Sequence, residues 1–376
     1  MITIHEVKTK KDLAAFIDFP AHLYRDNPYF TPYIFEDEIN NLTPAKNPAS
    51  SYCDFKSFLA KKDGKIVGRV TAIINRFSNE KYQEKRIRFN RIDFIEDYDV
   101  FVALMNAVQQ YGNEHGLVEM AGPLGYSDQD KEGLLTQGFD QKNMFVTFYT
   151  APYYVTFFER YGFQKDATWN EYRIKVPEKI PELLTKISQR VMERNQLHLV
   201  RVKNKKFKTL APYIKKIFRL MNVTYDHLYG YVPVKEDLMD MLAKQYIPLV
   251  NLDYIQLVCD AEENLVAFGL MIPSPVNALK KHRGHLFPFG FLSFFKELKQ
   301  SRVLDMLLVA VDPKYKDSGV LSLIFVDALT NAIKNKIEYA ETGPELLTNQ
   351  HVQSLWKHFE HTQHKSRSAF VRPIDA

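Results

Sequence analysis

The chain has 376 residues, 45% of them hydrophobic and 25% charged, with 27 Phe and 21 Tyr; one core rarely serves such a length, and the composition excludes a disordered, collagen-like or coiled-coil protein. Two cysteines, Cys53 and Cys259, without a C-x-x-C pair, exclude a disulfide framework and a thiolate zinc site. Residues 1–195 hold 26 basic and 27 acidic side chains against 24 and 18 in 196–376, so the basic excess of the second half suits a polyanionic ligand, or equally a solvated face carrying Lys203, Lys205, Lys206 and Lys208.

The N-terminus carries charges every few residues, and no long uncharged apolar run follows anywhere. A cytoplasmic protein with no membrane partner is expected. Apolar periodicity predicts mixed α/β elements in both halves. In the first, 55–60 and 65–74 read as a hairpin about Asp63-Gly64, and 86–95 as a third strand. Asp99 reads as the N-cap of a helix reaching about His115, with Phe101, Leu104, Met105 and Val108 on one face. Residues 117–121 make a strand ended by Gly122-Pro123, 153–161 a short helix stopped by Gly162, and 170–176 a closing strand. The two glycines of GLLTQGFD (133–140) follow no strand-to-helix turn and carry little weight as a nucleotide site. A polar helix, 182–194, is expected to link the halves, dividing the chain into domains 1–180 and 181–376.

Beyond the link the order recurs. Residues 254–259 and 265–272 form a hairpin, 304–311 the next strand and 320–334 a helix. Residues 337–341 form a strand ended by Gly343-Pro344, and 349–359 the last helix. LVEMAGP (117–123) parallels IEYAETGP (337–344), each directly after an amphipathic helix, as in a duplicated domain. Two stretches interrupt this order. NVTYDHLYGYVP (222–233) offers Tyr225, Asp226 and His227 as substrate-binding candidates, or an ordinary aromatic loop. HRGHLFPFGFLSFF (282–295) reads as a lid, an interdomain contact or a buried apolar segment. His351, His358, His361 and His364 lack acidic or cysteine partners at ligand spacing, so no metal is expected.

The chemistry concentrates in LLVAVDPKYKDSGVLSLIFVDALTNAIK (307–334): a buried strand, a tight loop and a helix opened by Gly319. Such a turn aims several backbone N–H groups and the positive end of a helix at one point, which suits a pyrophosphate. Glycine is needed there because a Cβ would hold a phosphate away from the backbone. Here the chain resembles the GNAT acetyltransferase superfamily, whose phosphate loop reads [Q/R]-x-x-G-x-[G/A]. Lys316-Asp317-Ser318-Gly319-Val320-Leu321 keeps the glycine and a cation, departs from a small residue at Leu321, and adds an unfavourable negative charge at Asp317.

The resemblance covers most of the chain as element order. It implies an α/β fold, an α+β mixed sheet in two tandem acyl-CoA N-acyltransferase-like domains. It further implies acetyl-CoA, or another acyl-CoA, held in the second domain by Val309, Val311, the 316–321 loop and Asn349. The acceptor would be an amine of a small molecule or peptide in the cleft between domains, with no nucleic acid bound. The family's late helix, N-x-x-A-x-x-L-Y, carries a tyrosine that protonates the departing thiolate; Trp356 stands there in the second half and Phe158 in the first. The first half also runs through 95–98 directly from strand to helix without a glycine loop, so it is expected to lack a coenzyme A site and to wall the cleft. An attacking amine must lose a proton. Asp305, six residues before Val311, is the first candidate base by the resemblance and Glu341 the second; each reads equally well as a carboxylate in a strand-end salt bridge. The expected function is acyl-CoA-dependent N-acyl transfer. The alternatives are a catalytically degenerate binding protein and, ranked lower for want of a long helical arm, a Fem-like aminoacyl transferase using aminoacyl-tRNA.

Overall fold

The computed structural model describes every residue except 205, 237, 238, 241, 244–246 and 376, and every side chain among them except those of 350, 351 and 354. Lys205 and the side chain of His351, both named above, lie outside the described residues. The first half contains β1 (Ile2–Glu6), α1 (Lys10–Leu23), α2 (Phe35–Asn41), β2 (Cys53–Lys62), β3 (Lys65–Asn75) and α3 (Arg76–Tyr82). It continues with β4 (Arg86–Phe94), α4 (Tyr98–Glu114), β5 (Glu119–Gly122), β6 (Leu134–Gln137), α5 (Tyr153–Arg160) and β7 (Gln164–Lys175). The second holds α6 (Glu182–Arg194), β8 (His198–Leu199), α7 (Phe207–Thr224), β9 (Ile255–Cys259), β10 (Leu265–Pro273), α8 (Val276–Lys281) and α9 (Gly290–Gln300). Then follow β11 (Val303–Val311), α10 (Leu321–Lys334), β12 (Tyr339–Thr342), β13 (Glu345–Leu346), α11 (Gln350–Leu355) and β14 (His361–Pro373).

Local chemistry sets most of these boundaries. Asp63 (φ 50°) and Gly64 (φ 76°) supply the two left-handed residues of a tight turn between β2 and β3. The cap of α4 is Asp97, where the sequence pointed to Asp99: Asp97 accepts from the Asp99 N–H at 3.0 Å and takes Lys62 Nζ at 2.8 Å. Asp99 therefore sits inside the first turn. The apolar stripe of α4 packs on β3 and β4 in a ring-rich core that includes Phe89, Phe94, Phe101 and Phe158.

The strands run β1-β2-β3-β4-β5-β14-β7-β12-β11-β10-β9-β8, with β6 on β14 and β13 on β7. The two halves thus exchange their closing strands. β7 lies against β12 of the second half, and β14, the end of the chain, lies against β5 of the first. Buried charge fixes the register of that exchange. Glu171 on β7 pairs with Lys365 at 2.9 Å and with Arg367, both on β14, with all three side chains sealed from solvent. Lys365 also lies 3.5 Å from Glu341 on β12, which Arg173 meets at 2.8 Å. Burial raises the Glu171 carboxyl, but Arg367 and Lys365 outweigh it and hold the group down at about 2. Removing one partner of such a pair strands a buried charge, at a cost of about 3–5 kcal/mol, so a slipped register is penalised.

In the second half, α10 and α6 cover one sheet face and α7 the other. The polar helix expected only to link the halves packs Val191 against Val320 and Leu323. The 282–295 segment contacts the first half of the chain: Phe35 N–H donates to the Gly284 carbonyl at 3.0 Å, and His285 meets Asp18 at 3.0 Å. Among the described residues no helix is long and apolar enough to cross a membrane.

Candidate active site

Strands β11 and β12 run parallel only from Val303 to Met306 against Tyr339 to Thr342. Past that point β12 ends at Gly343-Pro344 while β11 continues to Val311 with β10 on its other side. The β10–β11 register slips between Leu270 and Met271, leaving Leu307 as a bulge that re-aims the strand at the point of parting. The opening leads into a cavity of about 630 Å³, walled mainly by apolar side chains from β11, α7, α10 and the segment after β13. All five residues 307–311 reach it, because both the face and the free edge of β11 border it. Gly269 on β10 lets α10 settle close: a Cβ there would stand 2.7 Å from Ile324 Cγ2.

The 316–321 loop puts Lys316 and Leu321 in the cavity wall, to which Asn349 also belongs. Asp312 caps the turn by accepting from Lys314 N–H at 2.9 Å, and Ser318 Oγ donates to the Tyr315 carbonyl at 2.7 Å. The turn's own hydrogen bonds engage the N–H groups of Tyr315, Lys316, Ser318, Ser322 and Leu323, and leave those of Asp317, Gly319, Val320 and Leu321 outside them. Gly319 adopts φ 82°, and a Cβ on it would meet Val191 Cγ2 at 3.2 Å. Its glycine therefore serves the left-handed turn and the approach of α6 as well as any phosphate. Val320 is buried in the core, while Lys316 and Asp317 are exposed.

Val309 and Val311, assigned to the cofactor, both face the opening. Of the three substrate candidates, Tyr225 and His227 line the cavity; Asp226 turns out to Lys81 at 2.8 Å. Tyr225 Oη donates to the Val309 carbonyl at 2.7 Å, within the stretch of β11 that has lost its parallel neighbour, and burial raises this phenol well above its ordinary range.

The two carboxylates proposed from sequence meet each other and not the cavity. Asp305 and Glu341 are register partners on β11 and β12. The two-residue period of a strand places Leu304, Met306 and Ala340 toward the cavity and these carboxylates on the opposite face. Burial, then the neighbouring Glu341, pushes Asp305 up to about 8, and among the described residues its Oδ2 meets no hydrogen-bond partner. Glu341 belongs to the Arg173–Lys365 network.

Glu345, which the sequence reading passed over, does face the cavity, and burial pushes it up to about 7. Trp356, at the late-helix position where a tyrosine was expected, donates Nε1 to both Glu345 oxygens at 2.9 and 3.0 Å. The available signal was the spacing: Glu345 follows the Gly-Pro that ends β12 and stands eleven residues before Trp356. The first half adds Asp128, Glu132 and Trp169 to the wall, with Asp128 raised to about 7 by burial. No group of three or more histidine, cysteine or acidic side chains suited to a metal occurs among the described residues.

No family model matches the chain. Its fold is similar to that of a tandem GNAT protein from the clavulanic acid biosynthesis pathway, which superposes with a TM-score of 0.60 over 100% of this chain and 99% of that one, at 9% identity. At the level of sequence it is similar to Protein YghO of Escherichia coli, 29% identical over 355 residues, covering 92% of this chain and 89% of that protein. It is also similar to the bacterial ceramide synthase of Caulobacter vibrioides, 26% identical over 323 residues, covering 84% and 82%.

Proposed function

We propose that this protein is an acyl-CoA-dependent N-acyltransferase whose donor carries a long apolar chain, in place of the acetyl group expected from the resemblance. The supporting observation is the apolar cavity of about 630 Å³ that opens from the parted strands beside the 316–321 loop. With the pantetheine arm along Val309 and Val311, the wall still offers apolar side chains at Phe325, Val352 and Phe359, more than an acetyl group needs, and ligand pockets of this size bury chiefly apolar surface around a few polar anchors. The name of the Caulobacter relative, a ceramide synthase, accords with a lipid product.

The residues fit the donor. The N–H groups of Gly319, Val320 and Leu321 and the Lys316 ammonium would hold its phosphates, and the free edge of β11 at Val309 and Val311 would hold its pantetheine arm. Bound there, acyl-CoA supplies an activated thioester. Glu345, oriented by the Trp356 indole and poised near neutrality, takes the proton from the acceptor amine. Tyr225, neutral because it is buried, is the hydroxyl at the strand opening able to donate a proton to the departing sulfur. It stands in for the phenol missing from the late helix. Asp128 and Glu132 stand in the wall with both carboxyls pushed up by burial, and a cationic amine entering there would favour their charged forms.

Calorimetry with acetyl-, octanoyl- and palmitoyl-CoA tests the reading. Each methylene buried is worth about 0.8 kcal/mol, so affinity should climb with chain length until the cavity is full. Equal affinity for acetyl- and palmitoyl-CoA would remove the long-chain donor, and no binding of any of the three would remove the cofactor class.

A further inference from the structure

The 282–300 segment buries one face and presents another. Phe294 and Leu298 of α9 pack against Ile272, Leu279 and Leu307. On the other side of the same helix Leu292 and Phe295 are 60% and 43% exposed, and Phe287 and Phe289, in the loop before it, are 66% and 71% exposed. Four of the twelve exposed large hydrophobic side chains among the described residues therefore fall within nine positions. Scattered exposure is ordinary, but such a cluster marks a surface that meets something.

The tip is built and held. Glu36 accepts from the N–H groups of Leu286 and Phe287, both at 3.3 Å, and Phe35 stacks on His285 at 4.3 Å. Its surroundings are cationic. Lys281, Arg283, Lys296 and Lys299 are exposed, and the i, i+4, i+7 spacing puts Lys296 and Lys299 on the face that carries Leu292 and Phe295. The one acid of α9, Glu297, is turned inward to the backbone N–H groups of Asn277 and Ala278. Protein interfaces deplete lysine around their apolar centres. A charged lipid surface takes both features together, rings and leucine at the headgroup boundary and cations against anionic lipid.

We propose that this tip docks onto an anionic lipid bilayer, with Phe287, Phe289, Leu292 and Phe295 entering the headgroup boundary and the four cations lying on its surface. In-plane docking of this kind needs no membrane-spanning helix. It stands apart from the acyl-CoA reading, although the inner face of α9 packs on Leu307, which lines the cavity.

Sedimentation of the full chain with phosphatidylcholine vesicles, with and without about one third phosphatidylglycerol, reads the proposal out. Retention is expected on the anionic vesicles alone and should fall as salt is added. The variant Phe287→Ser/Phe289→Ser/Leu292→Ser/Phe295→Ser should lower the partition coefficient about tenfold or more, and Lys281→Glu/Arg283→Glu/Lys296→Glu/Lys299→Glu by a similar factor. All eight side chains are exposed, so unchanged thermal unfolding serves as the control for folding. Failure of the wild-type chain to sediment, or sedimentation of both variants like wild type, would overturn the proposal. So would a wild-type dimer in vesicle-free ultracentrifugation that the serine variant converts to monomer without any vesicle retention, since the tip would then cover a second copy.

Discussion

Each half of the molecule parts a pair of parallel strands beside an amphipathic helix, and the two halves use the opening in opposite ways. In the first, β4 and β5 stay paired only from Arg86 to Arg88 against Glu119 to Ala121, much as β11 and β12 do in the second. There the rings of Phe89, Phe94, Tyr154 and Phe158 fill the space. The Leu124 N–H takes the Phe89 carbonyl at 2.8 Å, and Tyr153 and Tyr154 both donate to the Phe94 carbonyl. In the second half the Met306 carbonyl likewise takes the Gly343 N–H, at 2.9 Å, but farther along β11 the Val309 carbonyl meets one tyrosine hydroxyl beside the cavity. The helix starts differ in the same sense. Asp97 supplies α4 with its own anion, whereas at the start of α10 the N–H groups of Gly319, Val320 and Leu321 lie outside the turn's hydrogen bonds and Lys316 is exposed. One architecture thus yields a solid core or a ligand site, depending on whether rings fill the gap and whether the helix brings its own negative charge.

The largest effect should come from Glu345. Loss of a general base costs about 10²–10⁴ in turnover, so Glu345→Gln should lower kcat by that factor while acyl-CoA affinity stays at the wild-type level. In the wild type, the base works only when deprotonated. With the carboxyl at about 7, kcat should fall as pH drops below 7 and level off above it. Asp305, at about 8, is largely neutral at pH 7 and faces away from the cavity, so Asp305→Asn should retain turnover. The reverse pair of results would move the chemistry to the opposite face of the sheet.

Next in size is a stability contrast between the two openings. Phe158 is fully buried among rings, and Phe158→Ala should cost about 3–5 kcal/mol in denaturant unfolding. Phe325 borders the cavity and is half-buried; Phe325→Ala enlarges a space that already exists and should cost about 1 kcal/mol while weakening long-chain acyl-CoA. Equal costs would mean that the second opening is packed like the first.

Sequence carried the duplicated order, the hairpins and the strand–loop–helix at 307–334, because each rests on local periodicity and turn chemistry. It did not carry β14. HTQHKSRSAFVRP (361–373) buries Lys365 and Arg367, so the alternation that announces a strand is written in charges whose partners lie on β7, far away in the chain. The strand exchange was hidden for the same reason, since nothing local tells β7 which half it will join. Asp305 and Glu341 were the right residue type at the ends of the right strands. Their face was decided by register, and Glu345 entered the site through the strand pairing of β13 with β7 and the reach of Trp356.

The smallest effects distinguish the two helix starts. Asp97→Ala removes a cap worth about 1 kcal/mol and should leave acyl-CoA binding untouched, because the rings beneath α4 still occupy the first opening. Lys316→Ala should do the opposite. The side chain is exposed and is in no salt bridge among the described residues, so unfolding should shift by less than about 0.5 kcal/mol. Loss of one exposed cation facing the donor's phosphates should weaken acyl-CoA up to about fivefold, with a smaller difference in high salt. Calorimetry at two ionic strengths measures both. An unchanged affinity in Lys316→Ala, with the wild type still binding, would place the phosphates away from the 316–321 loop and leave the two helix starts alike in their indifference to anions.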